Sequence, residues 1–447
     1  MLWTSRRALS GTALLHGILK RPQYDVKSIL NRIDKYQDAI AKRQLKSGSD
    51  LAQKLAKLPL VCETIKGLNQ RLASIQKERK AVETLIKKDK SNIAALSSEI
   101  KRFKEQHRQI VDQLENAEFE LNDLCGSLPN LVSATTPLSE PQIVQWINPK
   151  ESYKPDPERD HVSIMLKKSM VDFQTAATVS GTSWFYLLNE GAELEQALVS
   201  YALRRAREAG FQMCIPPSIV RNEVIDSCGF RPRDMNNEQQ IYHIDGTSMG
   251  LTATAEIALA GLGINQVMDL SNGPRRLVGV SRSYRAEAGA RGKDTKGLYR
   301  VHEFTKVELF CWSRPDQSDE LLEKLKGLQI DIVSSLGISA KVLNMPANDL
   351  GAPAFKKYDI EAWMPGRGSF GEISSSSNCL DFQTRRLNTK YKGQTTNKLE
   401  YAHTLNGTAM AVPRVILALI ENNYNPATRT ITIPEPLRDF MGGKTCI

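Results

Sequence analysis

The stretch 284-YRAEAGARGKDTKGLYRVHEFTKVE-308 decides how the larger part of this chain folds. Around it, Arg276 to Glu287 and Gly297 to Trp312 both read as strands, and Ala288-Gly-Ala-Arg-Gly-Lys-Asp-Thr-Lys296 is a glycine-rich, charged connection. Strand, loop and strand in that order predict an antiparallel hairpin with a long tip. Side chains two apart on a strand share a face. Arg285 and Glu287 therefore point one way, as do His302, Phe304, Lys306 and Glu308, while Val301, Thr305, Val307 and Leu309 form an opposite, mostly apolar face. By pattern alone this is a half-buried amphipathic hairpin. Its polar face nevertheless has the chemistry of a nucleotide site. Arginine meets phosphate bidentately, an aromatic ring stacks on a base, and carboxylates take an ammonium or a metal ion.

The elements around the hairpin alternate in type. Ala192 to Ala209 predicts a helix closed by Gly210, and Phe211 to Val220 a strand carrying Pro216-Pro217. Glu372 to Phe382 predicts a further strand and Thr408 to Asn423 a helix. The 447 residues are enough for two or three domains. With 25% charged and 41% hydrophobic residues the composition is that of a soluble globular protein. No stretch approaches the ~20 apolar residues that a membrane span needs, so no membrane partner is expected. The seven cysteines are scattered with no C-x-x-C, which argues against a disulfide framework, and no zinc is expected.

The net charge of +10 suggests a polyanionic partner, and its distribution is uneven. Residues 1–24 hold Arg6, Arg7, Lys20 and Arg21 and no acid, so +4 lies in this leader. The leader is rich in Arg, Ser, Ala and Leu, and its apolar run from Ala8 to Leu19 is interrupted by polar residues. That composition predicts a mitochondrial transit peptide over 1–24 and a mature protein in the mitochondrial matrix. A secretory signal is the rival, but scattered free cysteines fit an oxidising compartment poorly.

Residues 57–127 carry a heptad pattern. Val61, Ile65, Leu68, Leu72, Ile75, Val82 and Ile86 alternate in steps of four and three, with Arg79 in the one missing seat. After a polar break from Lys87 to Asn92, a second seam runs Ile93, Leu96, Ile100, Phe103, His107, Ile110, Leu114, Ala117, Leu121 and Leu124. Two long helices with a short turn predict an antiparallel hairpin with arms of ~45–50 Å. Its middle is basic: Lys77, Arg79, Lys80, Lys87, Lys88, Lys90, Lys101, Arg102 and Lys104 face only four acids, a net +5. From Glu105 to Ser127 six acids oppose Arg108 alone, a net −5. A long lever with a basic tip can reach a phosphate backbone far from the main body. An ordinary solvated coiled coil, or a dimerisation arm, gives the same pattern.

Taken together these segments resemble the seryl-tRNA synthetases. The 284–308 stretch is similar to motif 2 of class II aminoacyl-tRNA synthetases in its seryl form, and 371-GEISSSSNCLDFQTRR-386 and 403-HTLNGTAMAVPR-414 resemble the motif 3 region. Thr254-Ala-Glu256 resembles the serine-binding triplet, Pro217 sits where motif 1 has its proline, and 357-KYDIEAWMP-365 also fits. The likeness runs from about residue 25 to 447, arm included, and the leader makes it the mitochondrial type.

The resemblance implies an α+β chain: residues 129–447 a catalytic domain built on an antiparallel β-sheet flanked by helices, residues 25–128 a tRNA-binding domain with the coiled-coil arm. It implies a serine–tRNA ligase that forms seryl-adenylate from serine and ATP with Mg²⁺ and loads tRNA(Ser), working as a homodimer. Residue by residue, it puts Arg285 on the α-phosphate and the serine carboxylate, and Ala286 and Glu287 on the adenine side. Val301, His302, Glu303 and Phe304 would complete the ATP site, with the Phe304 ring under adenine and Arg414 over it. Glu372, Ile373, Ser374 and Ser375 would border the phosphates, with Glu372 and Ser375 holding Mg²⁺. Thr254, Glu256, Arg285, Glu308 and Thr408 would bind serine, and the basic middle of the arm would bind tRNA. Two stretches depart from the family. Asn406-Gly407-Thr408-Ala409 has threonine where serine is usual, which adds a methyl to a small pocket, and Phe230 to Gln240 matches the family's usual loop poorly.

Overall fold

The computed structural model describes residues 24–88, 93–230, 240–286, 296–393 and 398–447, without the side chains of 86–96. They form two compact units, Tyr24–Pro129 and Asn130–Ile447. The leader, the break at 89–92, most of 230–240 and the loop 287–295 with Glu287 lie outside the described residues.

The first unit contains α1 (Ile33–Arg43), α2 (Gly48–Lys88) and α3 (Ile93–Ser127). The two long helices run antiparallel: Lys54 lies 3.8 Å from Asp123, and Gln76 lies 3.4 Å from His107. Leu68, Ile110 and Ala117 are buried in the seam, flanked by Ile65, Leu72, Ile75 and Leu114. Its two polar occupants are provided for. His107 meets Gln76 across the seam, and Arg79 meets Glu83 at 2.9 Å one turn along its own helix. The helix α2 begins at Gly48, earlier than the heptads indicate, and carries Pro59 in its interior. Proline removes one backbone bond there. The helix persists because Leu51, Leu55 and Leu58 before the proline are buried together with Tyr36, Ala39 and Ile40 of α1. At 1.5 Å per residue, α2 is about 60 Å long and α3 about 50 Å.

The second unit is built on an eight-stranded sheet: β1 (Gln142–Ile147), β2 (Gln212–Cys214), β3 (Arg275–Tyr284), β4 (Glu303–Ser313), β5 (Ala340–Asn344), β6 (Lys356–Met364), β7 (Ser369–Leu380) and β8 (His403–Ala411). The spatial order is β1-β5-β6-β7-β8-β4-β3-β2. Every pairing is antiparallel except β2 with β3, so the sheet is mixed at that one edge. Further helices surround it: α4 (His161–Lys167), α5 (Asn189–Glu208), α6 (Ala255–Gly261), α7 (Ser318–Ser335) and α8 (Val412–Asn423).

Strand β4 shows why the sheet forms where it does. Val307, Leu309 and Cys311 are buried in one core with Leu198 and Tyr201 of α5, Leu325 of α7 and Ile416 of α8. On the alternate face Phe310 and Trp312 join a second core with Ile257 and Leu259 of α6. Between those rings and the strand's start that second face is polar, with Phe304, Lys306 and Glu308.

Several boundaries differ from the sequence reading. The expected strand over 211–220 is two short pieces, Gln212–Cys214 and Ile219–Arg221, because Pro216 and Pro217 cannot donate to a ladder. The expected helix from Thr408 starts at Val412, with Pro413 in its first turn. Thr408 instead stays on β8, where it pairs with Glu308 of β4. β3 stops at Tyr284 because the hairpin diverges after one further bond: Arg285 N–H donates to His302 O at 2.9 Å, but Ala286 N–H turns to Gln240 O at 3.1 Å.

The seam can be checked directly. Ile110→Ala should weaken the arm by about 2–4 kcal/mol through lost contacts and the cavity left behind. Phe119→Ala, on a side chain 52% exposed, should change it by no more than about 0.5 kcal/mol. Amide hydrogen exchange in α2 and α3 reads both, and equal effects would contradict the packing.

Candidate active site

A cleft opens on the polar face of β4, between the segment before that strand and the β7 and β8 strands. Arg285, Phe304 and Lys306 line it with Tyr299, Val301, Glu372, Ser375, Thr408 and Arg414. Arg285 is seated by its backbone bond to His302, and its guanidinium carbon lies 5.3 Å from the centroid of the Phe304 ring. Arg414 comes from the first turn of α8. Its Nε donates to Tyr299 O at 3.0 Å, and its Nη1 donates to Glu372 O at 3.0 Å and approaches Glu372 Oε2 at 3.3 Å. Burial works against a charge on Glu372. The cations Arg414, Lys357, Arg285 and Lys306 outweigh it and hold the carboxyl at about 2.

Two β-bulges shape this wall. One falls between Ile360 and Glu361 opposite β7, and one between Thr408 and Met410 on β8. A bulge takes backbone groups out of the ladder, and here side chains take them up. Gln329, buried on α7, donates to Ser375 O at 2.7 Å and to Thr408 O at 3.1 Å, and Ser374 Oγ donates to Thr408 O at 2.6 Å.

Two residues further along β4, the same face carries Glu308, fully buried. Its Oε2 accepts from Thr254 Oγ1 at 3.2 Å and is paired with Lys306, whose Nζ also lies 3.2 Å from Thr254 Oγ1. Its Oε1 has no partner among the described residues. Thr254 caps α6, accepting from Glu256 N–H, and so aims Glu256 at the same spot. Helix α6 can lie this close because β3 has glycine at 279, opposite Glu308: a Cβ there would press on Leu259 at 3.1 Å. Glu256 accepts from Gln383 and from Asn406, both at 2.7 Å. Burial first, then the charge of Glu308, push the Glu256 carboxyl up to about 7 against the pull of Lys306 and the two amides. Burial likewise raises Glu308, with Lys306 opposing. Gln383 Oε1 and Asn406 Oδ1 are buried without partners among the described residues. A pocket floor with three unmatched acceptors suits a small ligand bearing N–H or O–H donors.

The structure thus brings Arg285, Val301, Phe304, Glu372, Ile373, Ser374, Ser375, Thr408 and Arg414 to one cleft, with Thr254, Glu256 and Glu308 at its polar floor. Ala286 stands beside it, tied to Gln240. Like Ala286, His302 and Glu303 of the expected ATP set do not line it. His302 stacks on Trp184, and its Nδ1 lies 2.9 Å from the Tyr242 hydroxyl and 3.0 Å from Arg285 O, so the ring sits behind the Arg285 backbone. Glu303 points to the other face of β4 and pairs with Arg282 at 2.9 Å. The sequence reading did not single out Tyr299, Gln329, Gln383 or Asn406. Lys306 was visible on the polar face but unassigned. In the arm, Lys77, Lys80, Lys101, Arg102 and Lys104 are exposed on α2 and α3, while the side chains of Lys87, Lys88 and Lys90 lie outside the described residues.

The chain is similar to known proteins along its length. Residues 24–132 match the seryl-tRNA synthetase N-terminal domain, and residues 239–423 match the tRNA synthetase class II core domain (G, H, P, S and T). The chain is 58% identical to the mitochondrial serine--tRNA ligase of Saccharomyces cerevisiae over 96% of its own length and 97% of that protein. It is similar to the crystal structure of seryl-tRNA synthetase from Pyrococcus horikoshii complexed with ATP, with a TM-score of 0.86, 31% identity, and coverage of 95% of this chain and 99% of that one. It is similar also to cytoplasmic serine-tRNA ligase from Naegleria fowleri in complex with AMP, with a TM-score of 0.80, 27% identity, and coverage of 93% and 95%.

The raised Glu256 carboxyl has a pH signature. The folded state holds its proton up to about 7, whereas the ordinary value is 4.5. Between those values the folded state binds more protons than the unfolded chain, so this group's contribution is full below 4.5 and is lost as pH rises through about 7. Glu256→Gln removes the titration. The difference in melting temperature between wild type and variant should therefore shift against wild type across this window and be flat on either side. A pH-independent difference would contradict the assigned environment.

Proposed function

The chain belongs to the seryl-tRNA synthetase family, and from that premise we propose that it activates L-serine with ATP and transfers the seryl group to the 3′ end of tRNA(Ser) in mitochondrial translation. The carrying observation is the sorting of charge along β4. Cations gather where a triphosphate would lie, and buried carboxylates lie two residues further along, where an ammonium would lie.

In the first step a serine carboxylate oxygen attacks the α-phosphorus, the bond from that phosphorus to the bridging oxygen breaks, and pyrophosphate leaves. Two anions must meet, so the site's work is neutralisation and alignment rather than proton transfer. Arg285, between Phe304 and the floor, is the residue that can touch both the α-phosphate and the carboxylate. Phe304 offers a ring to adenine, and Arg414 a guanidinium plane to its other face. Glu308 and Glu256 receive the ammonium and hydroxyl with Thr254, and Thr408 borders the same pocket. A site that hydrogen-bonds the hydroxyl rejects alanine by leaving its own buried polar atoms unpaired. The tRNA ribose hydroxyl then attacks the carbonyl carbon of the adenylate, and AMP leaves.

The donors also fit Mg²⁺. Glu372 is held ionised, and Ser375 offers a hydroxyl on the same wall. Hard oxygen donors of this kind suit the ion, and Glu372 and Ser375 would hold it. When bound it would draw charge from the phosphates. The remaining assignments are of one piece: residues 1–24 a transit peptide, the matrix as the place of work, residues 25–128 the tRNA-binding domain, 129–447 the catalytic domain, and a homodimer as the working unit. The mitochondrial reading is supported by the yeast relative and by the acid-free, arginine-bearing leader.

Pyrophosphate–ATP exchange should depend on serine and respond little to alanine or threonine. Glu308→Gln should raise KM for serine by about tenfold or more with a smaller change for ATP. Exchange without serine dependence, in folded protein, would remove the proposal. Deleting Leu60 through Cys125 should spare exchange and abolish tRNA charging; unchanged charging would show that the arm does not read tRNA.

A further inference from the structure

Behind the cleft wall, His161 at the start of α4 is buried, and both its ring nitrogens are used. Nδ1 lies 2.8 Å from Glu421 Oε1, and Nε2 lies 3.3 Å from the backbone nitrogen of Leu298. A backbone N–H can only donate, so Nε2 is the acceptor and the ring proton sits on Nδ1, shared with Glu421. The other oxygen of Glu421 accepts from Arg367 N–H at 3.1 Å. Residue 297 has φ +67°, and a Cβ there would stand 2.2 Å from His161 Nε2, so only glycine lets the chain approach the imidazole.

The segment held in this way is the one against which Arg414 is set. Arg414 donates to Tyr299 O, and its guanidinium carbon lies 4.6 Å from the Tyr299 ring centroid. The Arg367 guanidinium carbon lies 3.6 Å from the same centroid, and the Tyr299 hydroxyl accepts from Glu372 N–H at 3.2 Å. Glu421 and Arg414 both belong to α8, two turns apart and on one face. The contacts therefore close a circuit, from α8 through Glu421, His161 and the 298–299 backbone to Tyr299, Arg414 and α8 again. Neither His161 nor Glu421 lines the cleft.

We infer that His161 and Glu421 are positioning residues for the nucleotide end of the site: they fix the 297–299 segment so that Tyr299 holds Arg414 at the cleft. This rests on the proposed use of ATP. Asp160, His161 and Glu421 also bring ligand-type atoms within 4.8 Å of one another. A cation is the weaker reading, because Asp160 is already met by Lys296 at 3.1 Å and by Ser163 Oγ at 2.8 Å, and both His161 nitrogens are taken.

The test uses serine-dependent pyrophosphate exchange by the full chain. His161→Phe keeps a ring and loses both nitrogens; His161→Gln keeps an acceptor within reach of Leu298 N–H. The first should raise KM for ATP about tenfold while kcat and KM for serine stay within about threefold, and the second should stay within about threefold throughout. In an Arg414→Ala background the effect of His161→Phe should shrink to about twofold, since both act through one contact. Additive losses, or an equal rise in KM for serine, would overturn the inference. Should His161→Phe fail to fold, Tyr299→Leu, on a part-exposed side chain, takes its place in the cycle with the same two outcomes. Wild-type protein without serine-dependent exchange rejects the ligase reading itself, whereas active wild type with an additive cycle rejects only the positioning role.

Discussion

Glu308 is a carboxylate with no access to water, and its burial is tolerable only because Lys306 and Thr254 meet it. An unpaired buried charge is costly, and removing either partner would expose that cost. The arrangement needs three elements at once: β4 for the Lys306–Glu308 pair, α6 for Thr254 and Glu256, and β8 for Asn406. The glycine at 279 and the bulges on β7 and β8 are how the sheet brings them within reach.

The floor and the cleft share one strand face but have opposite demands. At the cleft, Arg285, Arg414 and Lys306 make a positive environment that depresses Glu372 to about 2. At the floor, two carboxylates close together in a dry place push Glu256 up to about 7. Separating the two by only the step from Lys306 to Glu308 sets a face suited to an anionic group beside one suited to a cationic group. The proposed adenylate-forming reaction needs that juxtaposition.

Much of this was legible in the residues. The alternation across 304–309 placed Phe304, Lys306 and Glu308 on one face and Val307 and Leu309 on the other, because strand geometry has a fixed period of two; Val301, expected on the apolar face, lies before the strand's start at Glu303 and lines the cleft instead. The heptads of the arm gave two antiparallel helices for the same kind of reason. The reading failed where a contact far along the chain overrides a local pattern. Pro59 stays inside a helix because α1 packs beside it. Thr408 belongs to a strand because Glu308 lies across from it. His302 and Glu303, adjacent to Phe304 in sequence, turn to Trp184 and Arg282 and leave the cleft.

By itself, the sequence determined the element types, the polar face of β4, the charge map of the arm and the family, since each depends on spacing along one stretch of chain. Only the tertiary structure decided which polar residues share a site. Gln383, Asn406, Gln329, Tyr299 and the His161–Glu421 pair lie tens to hundreds of positions from the groups they touch. No periodicity joins them; burial does, because a polar atom removed from water must find its partner wherever the fold has brought one.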